Sequence, residues 1–216
     1  MGSSDSPLTP LERAFLERLF ASVPGVRLSG GGALAVHFGH RRSLDLDLFV
    51  QEESAFRALL ASLPAIAAAV DGRVEILTDA PAFRRALLTG PGGEAVRVDV
   101  VWDGDLPAHP VESGGLHVDP PEEILINKIC AILGRSELRD LVDLFFLERT
   151  GHRVLDALEA AKRRDAGLTP AGLAWAIGQV PLDRPPEGLL TPLTLDELRR
   201  FRDRLVETLQ HLAFPG

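Results

Sequence analysis

Apolar and polar positions follow one set of rhythms in the first half of this chain and another in the second. "TPLERAFLERLF" places Leu11, Phe15, Leu19 and Phe20 at helical spacing, and Thr9, Pro10 and Glu12 supply a capping box with proline at the first helical position. "GVRLSG" predicts a short strand ending in glycine, and "GGALAVHFG" a short helix closed by Gly39. "SLDLDLFV" alternates, which predicts a strand with Leu44, Leu46 and Leu48 on one face and Asp45 and Asp47 on the other. A helix over "ESAFRALLASLP", a strand over "GRVEILTD", a short helix or loop over "APAFRRALLTG" and a second alternating strand over "EAVRVDVVWDG" carry this mixed α/β segment to about Gly115.

From Pro120 the period becomes helical throughout. "PPEEILINKICAILG", "SELRDLVDLFFLERTG", "VLDALEAAKRRDAG", "TPAGLAWAIGQ" and "TLDELRRFRDRLVETLQHLA" predict five helices, punctuated by proline and glycine, with "VPLDRPPEGLLTPLT" as a proline-rich connector. The stripe Leu198, Phe201, Leu205 and Leu209 on the last helix reads as core. The predicted organisation is a disordered start over residues 1–8, a small mixed-sheet domain with flanking helices over 9–118, and a helical domain over 119–216. The fold class is α+β.

Composition narrows the setting. With 216 residues, 45% of them hydrophobic, the chain can bury a sizeable core. Its single cysteine, Cys130, excludes an intrachain disulfide and fits a reducing compartment. No apolar run follows a basic start as in a signal peptide, and the longest small-apolar run, "PAIAAAV", is far short of the roughly 20 residues a membrane span needs. The expectation is a soluble cytoplasmic protein without membrane contact. A net charge of −8 argues against a general nucleic-acid coat, so DNA is not an expected partner, although a local basic patch can still meet RNA. The only lysines are Lys128 and Lys162, against 23 lysines and arginines together, so a lysine within an apolar helix is informative.

Candidate chemistry concentrates between Ser29 and Phe49. Asp45 and Asp47 point to the same face of their strand, where two carboxylates repel unless a cation neutralises them. Mg²⁺ prefers such oxygens together with substrate phosphates, yet any half-exposed strand shows the same alternation, so the pair alone leaves both readings open. Gly30, Gly31 and Gly32 lie where a strand ends and a helix begins, so backbone N–H groups there can approach an anion, or the run is only a tight turn. Arg41 can fork onto phosphate oxygens and Ser43 can donate a hydroxyl, or both belong to a solvated turn. His37 and His40 read as surface or capping residues. If the second alternating strand pairs beside the first, Asp99 completes a three-carboxylate cluster; otherwise it forms a salt bridge with Arg97 or a neighbour.

Taken together these residues resemble a known family. "LSGGGALAVHFGHRRSLDLDLF" resembles the first motif of the nucleotidyltransferase superfamily, whose fold is that of DNA polymerase beta, and the AbiEii/AbiGii toxins in particular. "KICAILGR", Lys128 to Arg135, is similar to that family's K-L-x-A-L-x-x-R motif, and "RDLVD", Arg139 to Asp143, to its [KR]-D-x-x-D motif. Gly32 stands where such enzymes commonly carry Ser or Thr. The resemblance implies transfer of a nucleoside monophosphate from an NTP to a hydroxyl acceptor, such as a tRNA 3′ end or another hydroxyl substrate, and a cognate antitoxin as partner. It implies that Asp45, Asp47 and Asp99 hold Mg²⁺ or Mn²⁺, and that Lys128 contacts the triphosphate. Arg135, Arg139, Asp140 and Asp143 would line the nucleotide side, beside Gly30, Gly31, Arg41 and Ser43. A catalytically silent nucleotide-binding or partner-binding module of the same fold is the alternative.

Overall fold

Thr9 opens the first helix as its sequence demands. Its hydroxyl accepts from the Glu12 N–H at 3.2 Å while the Glu12 carboxylate accepts from the Thr9 N–H at 2.6 Å, and Pro10 begins helix α1, Pro10–Ser22. The computed structural model describes residues 6–105 and 109–214. The chain divides into two compact units, Met1–Pro120 and Pro121–Gly216.

In the first unit, α1 is followed by β1 (Val26–Ser29), α2 (Gly30–Phe38), β2 (Asp45–Val50), α3 (Glu53–Ala68), β3 (Arg73–Ala80), β4 (Phe83–Thr89), β5 (Ala95–Trp102), β6 (Val111–Ser113) and β7 (Leu116–Val118). The strands of the described residues form one seven-stranded mixed sheet in the order β3-β4-β5-β2-β1-β7-β6. β2 runs parallel to β5 and antiparallel to β1, while β4 pairs antiparallel with both β3 and β5. Period-2 alternation sends Leu46, Leu48, Val50, Val96, Val98 and Val100 to one face, all buried. α3, with Phe56, Leu59 and Leu63 buried, packs on β2, β3 and β5. The opposite face carries the acids.

The second unit holds α4 (Pro121–Arg135), α5 (Leu138–Arg149), α6 (Val154–Arg164), α7 (Pro170–Gly178) and α8 (Leu195–Ala213). α4 is its hub, packing on α5, α6 and α7. The α8 stripe Leu198, Phe201, Leu205 and Leu209 is buried, and Phe145 meets Phe201 edge to face at 5.4 Å. The α+β architecture expected from the sequence is the one observed. No helix among the described residues is long and apolar enough to cross a membrane.

Five readings of the sequence are corrected. "FRRALLT" is neither helix nor loop but the strand β4, because it has both β3 and β5 to pair with. The β6–β7 hairpin has no counterpart in the predicted elements. Leu44 precedes β2 and is 68% exposed instead of facing the core with Leu46. α3 continues through Pro64 to Ala68, with Leu63, Ile66 and Ala67 buried around the proline. Of the expected disordered start, residues 1–5 lie outside the described residues. Leu8, however, is 2% exposed and the Pro7 carbonyl accepts from the Ser43 N–H at 3.2 Å, so the chain is held down from there on.

Candidate active site

Cross-strand register assembles the site in the first unit. β1 pairs Ser29 with Asp47, β2 pairs Asp47 with Asp99, and β5 pairs Asp99 with Arg85. Ser29, Asp47, Asp99 and Arg85 therefore form one row across four strands. In the neighbouring row, two residues along β2, Asp45 stands opposite Arg97. Directly opposed residues have Cβ atoms about 5 Å apart, which puts the three carboxylates on adjoining positions of one face.

Two arginines engage these acids. Arg85 donates from Nε to Asp99 Oδ1 at 2.8 Å and from a terminal nitrogen to Oδ2 at 2.7 Å, a bidentate fork. Arg97 donates to Asp45 Oδ2, and its Nε lies 3.8 Å from Asp99 Oδ2. The hydrogen bond to Asp99 raises the Arg85 pKa, and the charges of Asp99, Asp45 and Asp47 add to the rise, so Arg85 feels all three acids. A fourth carboxyl lies in the same field. Burial pushes the Glu12 carboxyl up and the charge of Asp45 adds to this, against the lowering effect of its hydrogen bonds with Thr9.

The glycine turn borders the acids directly. Gly30 begins α2 with φ +60°, and a Cβ on it would collide with Asp47 Oδ2. A Cβ on Gly31 would collide with the guanidinium of Arg41, itself buried and donating to the Arg42 carbonyl at 2.9 Å. At Gly32 a Cβ would stand 3.4 Å from Ser43 Oγ, whose hydroxyl donates to the Asp45 carbonyl at 2.6 Å. A hydroxyl thus occupies the corner beside residue 32, supplied from residue 43. Gly30→Ala is expected to cost about 1–3 kcal/mol of stability, the scale of a side chain forced into the left-handed region, and to displace the Asp47 carboxylate. Urea denaturation of the variant checks this.

A divalent cation is what the resemblance implies for Asp45, Asp47 and Asp99. The donor set suits one, since carboxylate oxygens are the ligands that Mg²⁺ and Mn²⁺ prefer, and the groups already touching these oxygens are cations. Among the described residues, no three His, Cys, Asp or Glu side chains converge as a metal-holding group. At two of the three acids the oxygens face guanidiniums: both oxygens of Asp99 accept from Arg85, and Asp45 Oδ2 accepts from Arg97.

The remaining predicted residues belong to the helical unit. Lys128 on α4 is buried, with Nζ 2.9 Å from Asp140 Oδ1 and 2.7 Å from Asp143 Oδ2, both carboxylates on α5 having no exposure. Arg135 forks onto Asp140 at 2.7 and 2.8 Å. Arg139 donates to Glu137 at 2.6 Å. Burial raises the Asp140 pKa, but Lys128 and Arg135 outweigh it and hold the group below the ordinary carboxylate value. A depressed folded-state pKa gives stability that is present above the unfolded value of about 3.9 and lost as pH falls through the folded one. Urea unfolding of the native chain is therefore expected to show stability falling below about pH 4, a limb that Asp140→Asn flattens.

The sequence pointed to Asp45, Asp47, Asp99 and the glycine turn, which the register brings side by side, but it did not pair Lys128 with Asp140 and Asp143, gave Arg85 no role, and gave Arg97 none beyond an ion pair with Asp99. The period-2 positions Phe83, Arg85 and Leu87 were the available signal, weakened by the adjacent Arg84. His40, expected as a surface or capping residue, is fully buried, which rules out the surface position. His37 lies with Nε2 2.8 Å from the Asp119 carbonyl.

Two solved structures share this architecture. JHP933 from Helicobacter pylori superposes with a TM-score of 0.61 at 22% identity, over 94% of this chain and 90% of that one. The nucleotidyltransferase toxin MenT4 from Mycobacterium tuberculosis H37Rv gives a TM-score of 0.61 at 14% identity, over 92% of this chain and 81% of that one. At these identities the likeness concerns the fold. No functionally curated protein matches the sequence. The sequence profile of the nucleotidyl transferase AbiEii toxins of type IV toxin–antitoxin systems matches residues 14–214, and over that length the chain belongs to this family.

Proposed function

We propose that the protein transfers a nucleoside monophosphate from an NTP to a hydroxyl acceptor in a reaction dependent on a divalent cation. The acceptor is an RNA hydroxyl, such as a tRNA 3′ end, or another hydroxyl substrate. The observation that carries this reading is the register that sets Asp47 opposite Asp99, one position from Asp45, against a glycine turn at a helix start. In the reaction the acceptor oxygen attacks the α-phosphorus, the bond to the bridging oxygen breaks, and pyrophosphate leaves. Asp45, Asp47 and Asp99 would hold Mg²⁺ or Mn²⁺, which when bound would neutralise phosphate charge and make the acceptor hydroxyl easier to deprotonate.

The backbone N–H groups of Gly30 and Gly31 face the phosphates, with Arg41 as a cationic neighbour. Ser43 braces the start of β2 through the Asp45 carbonyl. In the helical unit, the family motifs support Lys128 as the triphosphate contact and Arg135, Arg139, Asp140 and Asp143 as residues of the nucleotide side. Family membership supports a cognate antitoxin as partner. The test incubates the protein with each labelled NTP, Mg²⁺ or Mn²⁺ and total RNA, beside an Asp45→Ala/Asp47→Ala control. Incorporation that the control loses supports the reading. NTP binding without incorporation into any acceptor sinks it in favour of a silent nucleotide-binding module.

A further inference from the structure

Arg85 and Arg97 lie over the carboxylates that they pair with. Their side chains are 38% and 37% exposed, whereas those of Asp99 and Asp45 are 9% and 11% exposed. Each guanidinium is thus more exposed to solvent than the carboxylate it holds. Both Asp99 oxygens already accept from Arg85, so Asp99 cannot present the same lone pairs to a metal while the fork is closed. The fork also solves a problem of the fold, because three carboxylates on adjoining positions repel one another and the two guanidiniums relieve this. Long, partly solvated side chains on neighbouring strands can pivot away from these contacts without disturbing either backbone ladder. Once displaced, a guanidinium is matched in shape and charge to two phosphate oxygens.

We propose that Arg85 and Arg97 are exchangeable counter-ions of the acid face. They hold Asp99 and Asp45 in the nucleotide-free protein, and they pass to the phosphate oxygens when a metal-bound nucleoside triphosphate arrives. The inference rests on the reading of this face as a metal–nucleotide site. It predicts effects of opposite sign on two ligands. Each arginine competes with the metal alone but assists the metal–nucleotide.

The probe is Mn²⁺ alone, titrated into the full chain and followed by the electron paramagnetic resonance of the free ion, with Mn²⁺–ATP binding measured in parallel. Arg85→Gln and Arg97→Gln should each bind Mn²⁺ about tenfold more tightly than the unaltered chain, as expected for one charge removed beside a partly solvated site. They should bind Mn²⁺–ATP about tenfold more weakly through loss of a charge-assisted fork. Damage to the fold would weaken both ligands together, so the opposite signs separate the two causes. Arg85→Lys keeps the charge but gives up one hydrogen bond, and should tighten Mn²⁺ about threefold. It decides the matter if the glutamine variants do not fold. Mn²⁺ affinity that is unchanged or weaker in these variants, yet lost in Asp45→Ala/Asp47→Ala, overturns the exchange and leaves the metal site standing. Absence of Mn²⁺ binding in every protein, with no NTP-dependent labelling, overturns the exchange and the function together.

Discussion

Asp47→Asn is expected to lower nucleotidyl transfer by roughly a thousandfold or more, the scale of removing one preorganised charged partner of a transition state. Asp47 is singled out by its place in the register. It stands opposite Ser29 on one side and Asp99 on the other, and its Oδ2 lies against Gly30, where the glycine turn begins. The amide keeps the shape of the side chain, so the β2 ladder and the turn remain as they are. Single-turnover labelling measures the activity, and urea denaturation shows whether the fold survives. A variant that retains a tenth of the activity removes Asp47 from the metal set.

Lys128→Met should cost about 3–5 kcal/mol of stability, the range for breaking a buried ion pair by removing one partner. The loss would fall chiefly on Asp143, because Asp140 keeps its fork from Arg135. A double variant, Lys128→Met/Asp143→Leu, should regain part of that loss, because it withdraws one of the buried carboxylates that Lys128 neutralises along with the cation. Urea midpoints of the two variants and the unaltered chain decide this. The comparison bears on catalysis as well. If the double variant is folded but inactive, the Lys128–Asp143 pair acts beyond holding α4 to α5; if it is active, the pair is scaffold.

The acid-bearing strands were legible because their signal is local. In "SLDLDLF" and "VRVDVVW" every second residue is apolar, and burial of one face follows from the pleat without knowledge of any neighbour. The α1 cap was equally local. β4 was hidden because Arg84 and Arg85 are adjacent, which breaks the alternation, and because the segment gains strand character from its partners. β6 and β7 have three residues each, too few to show a period, and β7 joins the sheet through the rung between Leu28 and Val118. The site was legible to the same depth. Residue type and spacing pointed to Asp45, Asp47 and Asp99, but cross-strand register is a long-range fact. No local pattern states that Arg85 faces Asp99 or that Arg97 faces Asp45. Lys128 stood out as a lysine in an arginine-rich chain, yet its two carboxylate partners emerge only once α4 lies along α5.

The order of contacts along the chain also bears on how the protein reaches its native state. Arg85 and Asp99 are 14 residues apart, on a hairpin whose turn is closed by a hydrogen bond from Gly90 N–H to the Glu94 carbonyl at 2.8 Å. Asp45 and Arg97 are 52 residues apart and meet only when β5 docks beside β2. Loop-closure entropy favours the shorter connection, so the β4–β5 hairpin is expected to form before β5 docks on β2. Asp99 then reaches Asp45 and Asp47 with Arg85 already attached, and Arg97 arrives on the same strand. The slow, long-range step of folding thus brings together charges that are already nearly balanced, and the repulsion between the three acids never acts at full strength on the docking barrier.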